Sequence, residues 1–316
     1  MRTTRPVARE AREVNGTPER QRARLLLHQD QIKVGLAGNL RDYRFVDREG
    51  ELVTGAQVDY NGQPAGYADP AETITHVDAH DNETLFDVLQ YKLPRGTGMS
   101  DRVRANTVAL ATAALAQGPA FWHAGTDLLR SKSLDRNSFN SGDWFNRIDW
   151  TYRESTWGSG LPPRGENAAK WAYMRPLLAD PALEPGEREL RTAHRQAVDL
   201  LRIRFSSPLF RLGSAELVRR RVGFPTGGPD QTPGVIVMHL DDRTGPDLDP
   251  RWESVVVVLN ASGRATTQAV PALAGARYRL HPVQAGGADP VVRTSEYRAD
   301  GSFAVPARTV AVFVSR

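Results

Sequence analysis

The chain has 316 residues, of which 40% are hydrophobic and 25% charged, with a formal net charge of +4. These are ordinary globular proportions, and the length allows a sizeable core and more than one domain. The absence of cysteine excludes a disulfide framework and thiolate metal sites, and no apolar run has the length of a membrane-spanning helix.

Much of the basic excess is local. Arg2, Arg5, Arg9, Arg12, Arg20, Arg22 and Arg24 face only Glu10, Glu13 and Glu19, with no aromatic residue among them. A nucleic-acid surface would interleave cations with stacking rings, so a solvated face is the better reading, with neither nucleic acid nor membrane as a partner. The arginine-rich start has no apolar segment behind it, so it is no secretory signal. The default compartment is the cytoplasm, with export left open for a longer parent protein.

Residues 1–17 show no hydrophobic period and read as irregular. Thr17-Pro18-Glu19 has the form of a helix start, Thr as N-cap and Pro at the first position, and predicts a helix towards Val34 that Gly38 ends. A polar, Gly-rich loop to Pro70 carries Tyr43, Phe45 and Tyr60, which either pack locally or face a ligand. Glu72-Thr-Ile-Thr-His-Val77 reads as a buried strand. Ser100 is a cap for a buried helix from Asp101 to Gln117, and Ala120-Phe-Trp-His-Ala-Gly125 is a second apolar strand. Strand, helix, strand is a βα unit feeding a parallel sheet. Helices follow over Glu166–Leu178 and Glu187–Phe205, with Pro181 and Pro185 between them. Arg219-Arg220-Arg221 sits in a strand-like run. Beyond Ser206-Ser-Pro208 the pattern changes to short β-rich segments at Val235–Leu240, Ser254–Leu259, Arg277–Leu280 and Thr309–Val314, separated by Gly, Pro and Asp clusters. That spacing predicts an antiparallel sandwich.

Two segments carry chemistry. His80-Asp81-Asn82 puts a carboxylate and an imidazole just past the end of a strand. Leu134-Asp-Arg-Asn-Ser-Phe-Asn-Ser-Gly-Asp-Trp-Phe-Asn146 mixes hydrogen-bonding groups with flat rings. Sugars need both, partners for their hydroxyls and aromatic faces for their C–H surfaces. His76 and His80 have the i, i+4 spacing of a helical zinc site, but on a strand they lie roughly 13 Å apart, which excludes a metal there.

The segments Val34-Gly-Leu-Ala-Gly-Asn-Leu40, Val58-Asp-Tyr-Asn-Gly-Gln-Pro-Ala-Gly66, His80-Asp-Asn-Glu-Thr-Leu-Phe-Asp87, Leu128-Leu-Arg-Ser-Lys-Ser133 and Asp135–Asn146 together resemble pullulanase-type α-1,6-glucosidases and limit dextrinases, of the α-amylase clan. The resemblance implies an α/β plus all-β chain: the C-terminal part of a (β/α)8 barrel, about strands seven and eight, followed by an antiparallel β-sandwich. It divides the sequence into a poorly matched segment and helix over 1–30, a partial barrel over 31–206 and a C-terminal β-domain over 207–316. It implies that Asp81 is the carboxylate that stabilises the oxocarbenium-like transition state. His80, Asn82, Asp135, Arg136, Asp143, Trp144 and Asn146 then line the substrate, an α-glucan such as pullulan, a limit dextrin or glycogen. Phe139 is a further stacking surface. For Asp135 and Arg136 a structural ion pair is an equal alternative, and Asn146 either binds substrate or caps its turn. Trp122 and His123 are expected to pack, as are Trp252, Tyr278 and Tyr297. No cofactor is implied; calcium occurs in the family but nothing in this chain supports it.

Retaining hydrolysis needs a nucleophile and an acid about 5–5.5 Å apart. A third carboxylate can stabilise developing positive charge but replaces neither. The family's nucleophile Asp and acid Glu have no matching segments here. The expectation is therefore the C-terminal portion of a debranching hydrolase, incomplete for catalysis by itself and paired with an upstream chain carrying the rest of the barrel. The alternatives are a non-catalytic carbohydrate-binding or structural fragment, and a gene remnant.

Overall fold

The computed structural model describes residues 16–68 and 72–316. The expected irregular segment thus lies, except for Gly16 and Thr17, outside the described residues, as does Pro70. The chain divides into two compact units that interleave along the sequence: His76–Leu110 with Trp122–Ala197, and Pro18–Thr75 with Ala111–Phe121 and Val198–Arg316.

The second of these units opens with the predicted helix, Pro18–Leu36. Its end is made by Gly38, whose φ of 82° puts it in the left-handed region where glycine carries no Cβ penalty. The Gly-rich loop that follows is more ordered than expected. It contains a hairpin of β1 (Arg44–Val46) and β2 (Leu52–Thr54), then a two-residue pair β3 (Asp59–Tyr60) and β4 (Gln63–Pro64). Tyr43 and Phe45 are buried and pack with Phe224, whereas Tyr60 is exposed.

The β-rich region forms two antiparallel sheets. One has five strands, β5 (Val222–Gly223), β6 (Val235–Asp241), β7 (Ser254–Asn260), β12 (Thr309–Ser315) and β9 (Arg279–Leu280), in the spatial order β5-β6-β7-β12-β9. The other has three, β8 (Thr266–Ala269), β11 (Ser302–Val305) and β10 (Glu296–Tyr297), with β11 central. Val237, Val258, Ala311 and Phe313 from the larger sheet share one core with Phe303 and Val305 from the smaller. Phe303 and Phe313 meet edge to face at 5.0 Å. Every residue of β7 is buried, as its unbroken run Val255-Val-Val-Val-Leu259 requires of a strand covered on both faces.

Three expectations need correction. The segments Glu72–Val77 and Ala120–Gly125 are not strands. They meet at one parallel bridge, Thr75 with Ala120, closed by Thr75 N–H to Pro119 O at 2.8 Å and Phe121 N–H to Thr75 O at 2.9 Å. Ile74 is 65% and Phe121 46% exposed, so neither segment is buried. Two short segments without further neighbours have no ladder to extend. Arg219–Arg221 is the end of a helix, Ala215–Arg221, started by Ser214, whose hydroxyl accepts from Leu217 N–H. Its i, i+4 pair Glu216–Arg220 is a helical contact, and Arg221 is buried against Asp242. The helix expected over Glu166–Leu178 is broken into Arg164–Asn167, a 3-10 turn and Trp171–Leu178. Pro176 inside the last piece removes a helical N–H.

The first-named unit holds the helices Leu85–Lys92, Trp171–Leu178 and the start of Glu187–Ser206. Their apolar faces gather Phe86, Trp157, Met174, Leu177 and Leu190 around Leu129 and Leu134. Leu129 and Leu134 anchor the loop that carries most of the predicted site.

Candidate functional site

The site is built on the first-named unit. His80 and Asp81 stand at the surface, their side chains 87% and 70% exposed, with His80 Nε2 3.6 Å from an Asp81 oxygen. Beneath them the chain is tightly held. Thr84 caps the helix Leu85–Lys92 by accepting from Asp87 N–H. Just before it, Asp78 is buried, one carboxylate oxygen accepting from Leu85 N–H at 3.0 Å and from the Thr126 hydroxyl at 2.6 Å. The other oxygen of Asp78 is buried with no hydrogen-bond partner.

Asp87 is the hub. It is completely buried, and its carboxylate accepts from Ser131 Oγ at 2.6 Å, Lys132 N–H at 2.8 Å and Leu134 N–H at 3.1 Å. Burial pushes its pKa up to about 6, against the opposing pull of those three donors and of Lys132. The loop it grips is strained. Leu129, Ser133 and Leu134 all have φ between 52° and 65°, left-handed values that cost non-glycine residues energy. Lys132, buried in the same loop, donates from Nζ to the carbonyl of His80 at 3.0 Å. Its pKa is pulled down by burial, with Asp87 and Asp135 opposing. A buried cation thus ties the strained loop to the residue preceding Asp81.

A second tie runs from Arg136 Nε to Asn82 Oδ1 at 3.2 Å. Asn82 itself has φ 62°, a conformation that asparagine tolerates better than most residues. His80, Asp81, Asn82 and Arg136 are therefore brought together, with Lys132 as support. Asp135, expected at the substrate, is instead fully buried and its oxygens are occupied. It accepts from Asn167 Nδ2 at 2.9 Å, Asn137 N–H at 3.1 Å and Ser141 Oγ at 2.5 Å. In this arrangement it braces the loop and presents no exposed surface.

Asn146 likewise spends both polar atoms on its own loop. Nδ2 donates to the carbonyls of Ser138 and Gly142, and Oδ1 accepts from the Ser138 hydroxyl. Asp143 is exposed at the start of the short helix Asp143–Asn146. Trp144 is 57% and Phe139 82% exposed. The indole of Trp144 is fixed by Nε1–H to Ser159 O at 2.6 Å and by the Arg147 guanidinium 5.1 Å from its ring centre.

Sequence reasoning missed Asp87, Lys132 and Arg130. Arg130 donates to His123 Nε2 at 3.1 Å and to the carbonyls of Ala124 and Asn146. Burial lowers the pKa of His123, and the facing Arg130 lowers it further. Thr84-x-x-Asp87 looks like an ordinary helix-start pair, so nothing local distinguished Asp87. Left-handed backbone at the non-glycine residues Leu129, Ser133 and Leu134 leaves no compositional trace. Among the described residues no group of three or more His, Asp or Glu side chains converges as a metal centre would.

The family described as alpha-1,6-glucosidases, pullulanase-type, C-terminal, matches residues 152–316. Over 95% of its length the chain is 44% identical to pullulanase 1, chloroplastic, of Arabidopsis thaliana, and covers 32% of that protein. Over 90% of its length it is 38% identical to the pullulanase of Klebsiella pneumoniae, covering 26% of it. The solved maltotriose complex of PulA from Klebsiella pneumoniae superposes with a TM-score of 0.87 at 38% identity, over 92% of this chain and 31% of that one. The chain thus spans between a quarter and a third of the length of these two curated relatives.

Proposed function

Because this chain belongs to the pullulanase-type alpha-1,6-glucosidases, we propose that it forms the C-terminal part of a starch- and glycogen-debranching hydrolase, with Asp81 as its transition-state-stabilising carboxylate. The single observation that carries this reading is the presentation of Asp81. An exposed carboxylate is displayed beside an imidazole on a backbone clamped by buried Lys132 and by Arg136. Surface carboxylates ordinarily need no such foundation. A group that must meet positive charge developing on a sugar ring must be positioned before the reaction starts.

Asp81 faces the anomeric carbon of the cleaved glucose and stabilises its oxocarbenium character. His80 and Arg136 hydrogen-bond the same sugar, and Trp144 and Phe139 offer rings to neighbouring residues of an α-glucan such as pullulan or a limit dextrin. Asp143 reaches the same chain from the loop's rim. Asp135, Asn146, Asp87 and Lys132 hold this surface in shape. Hydrolysis with retention requires two further carboxylates, a nucleophile and a general acid. We assign them to a barrel segment outside this chain, which also contributes the remaining strands beside Thr75 and Ala120 and covers Ile74 and Phe121. The region 31–206 is then the closing part of the (β/α)8 barrel, and 207–316 is its C-terminal β-sandwich domain.

The test is reconstitution. The 316-residue chain alone should not release reducing ends from pullulan. Mixed with a chain carrying the first six barrel strands of a relative, it should do so, and Asp81→Asn should lower kcat by about a hundredfold or more. Turnover by the isolated chain, or full speed of the Asp81→Asn pair, overturns the proposal.

A further inference from the structure

An open cavity of about 570 Å3 lies in the same unit, its lining including Trp144 and Pro181, Glu184, Pro185 and Gly186 of the turn before the helix Glu187–Ser206. Of the residues assigned above to the Asp81 rim it includes Trp144 alone, and neither His80, Asp81, Asn82 nor Arg136 lines it. Its size suits a few sugar units. We infer that this cavity is a second α-glucan site, one that holds two or three glucose units of a chain without cutting it; the identity of the sugar rests on the function proposed above.

Four observations converge. The first is the flat wall: Trp144 is exposed, yet its indole is immobilised by Ser159 O and by Arg147. A ring already fixed loses little entropy when a sugar face stacks on it. The second is charge. Arg147 and Arg153 are matched by Glu154 and Glu184, so the cavity favours neither an anion nor a cation. Fixed donors and acceptors side by side suit hydroxyl groups, each of which both gives and takes a hydrogen bond.

The third is rigidity of the rim. Asp149 accepts from Thr151, from Arg153 N–H and from Glu154 N–H, which sets the turn bearing Arg153 and Glu154; those bonds hold its carboxyl well below the usual range. Arg147 also reaches Glu154 at 3.3 Å. The fourth is an orphan donor. Trp157 is buried, lines the cavity, and its Nε1–H has no hydrogen-bond partner. A buried indole N–H normally finds one.

The probe is maltotriose, titrated into the 316-residue chain with the indole and backbone amide signals followed by NMR. The Trp144 and Trp157 indole signals should move together while that of Trp252, in the β-rich unit, stays fixed. Trp144→Ala should weaken binding about tenfold, the scale of one lost aromatic face. Trp144→Phe should restore most of it, and Asp81→Asn should leave this affinity unchanged. Shifts confined to the amides of His80–Asn82 would overturn the cavity assignment while leaving the proposed function standing. Shifts at the cavity with none at His80–Asn82 would uphold the second site and count against the rim as a glucan contact. No shift at the two indoles up to the solubility of maltotriose overturns the inference, as does Trp144→Ala binding with full affinity.

Discussion

Removal of the Asp87 carboxylate is the sharpest test of how the Asp81 surface is built. Asp87→Ala leaves Ser131 Oγ, Lys132 N–H and Leu134 N–H without their acceptor, in a place with no solvent access. An unsatisfied buried donor costs about 1–3 kcal/mol, and a hydroxyl can turn elsewhere, so the expected loss is about 3–5 kcal/mol. That is a large share of the 5–15 kcal/mol typical of a whole domain. Asp87→Asn keeps an oxygen for the two backbone donors and an amide that Ser131 can accept from, so it should cost only about 1 kcal/mol at neutral pH.

The two states of the carboxyl add a pH signature. The folded pKa is raised to about 6 from 3.8, so the folded protein binds the proton more tightly than the unfolded chain. Stability from this group is fully present below about pH 4 and is lost as pH rises through about 6. The change is about 3 kcal/mol, since each unit is worth about 1.4 kcal/mol. The wild-type advantage over Asp87→Asn should therefore shrink by about that amount between pH 4 and pH 7. Urea unfolding followed by tryptophan fluorescence reads it well, because Trp122, Trp144, Trp150, Trp157 and Trp171 lie in the unit that contains Asp87. Trp157 meets Phe86, the neighbour of Asp87, at 5.8 Å. An Asp87→Ala loss under about 1 kcal/mol, or parallel pH profiles for wild type and Asp87→Asn, would refute the hub.

The β-rich unit should respond to acid in the opposite sense. Burial depresses His239 and His281 from 6.5 to about 4, so their contribution is present above about pH 6.5 and is lost as pH falls towards 4, by about 3 kcal/mol each. Hydrogen-exchange protection of β7 and β12, corrected for intrinsic rates, should drop over that interval; a rise would contradict it. At Gly66 an added Cβ would lie 2.4 Å from Leu40 O and 2.7 Å from the Gly55 carbonyl carbon. Gly66→Ala should therefore cost about 2–3 kcal/mol, whereas Gly98→Ala, which meets nothing within 4 Å, should change the urea midpoint little.

Local chemistry made a good part of the chain legible. Thr17-Pro18-Glu19 and Gly38 bracket the first helix because capping and backbone freedom act within a few residues. The runs at Val235, Ser254 and Thr309 announce strands that the structure extends by only one residue each, since β-branched runs between turn residues have few other solutions. Other features were out of reach of any local reading. The order β5-β6-β7-β12-β9, the collapse of two expected strands into one bridge, and the helix in place of a strand at Arg219–Arg221 depend on partners far along the chain. So do the fates of the acidic residues. Asp81 and Asp135 are both aspartates in polar, turn-rich stretches, yet one is displayed and the other is sealed among Asn137, Ser141 and Asn167. Asp87 becomes a hub only because Ser131–Leu134, more than forty residues later, turns its N–H groups inward. Sequence sets which residues are able to donate, accept or stack; which of them face a ligand and which face each other is settled by the long-range packing that decides where water is excluded.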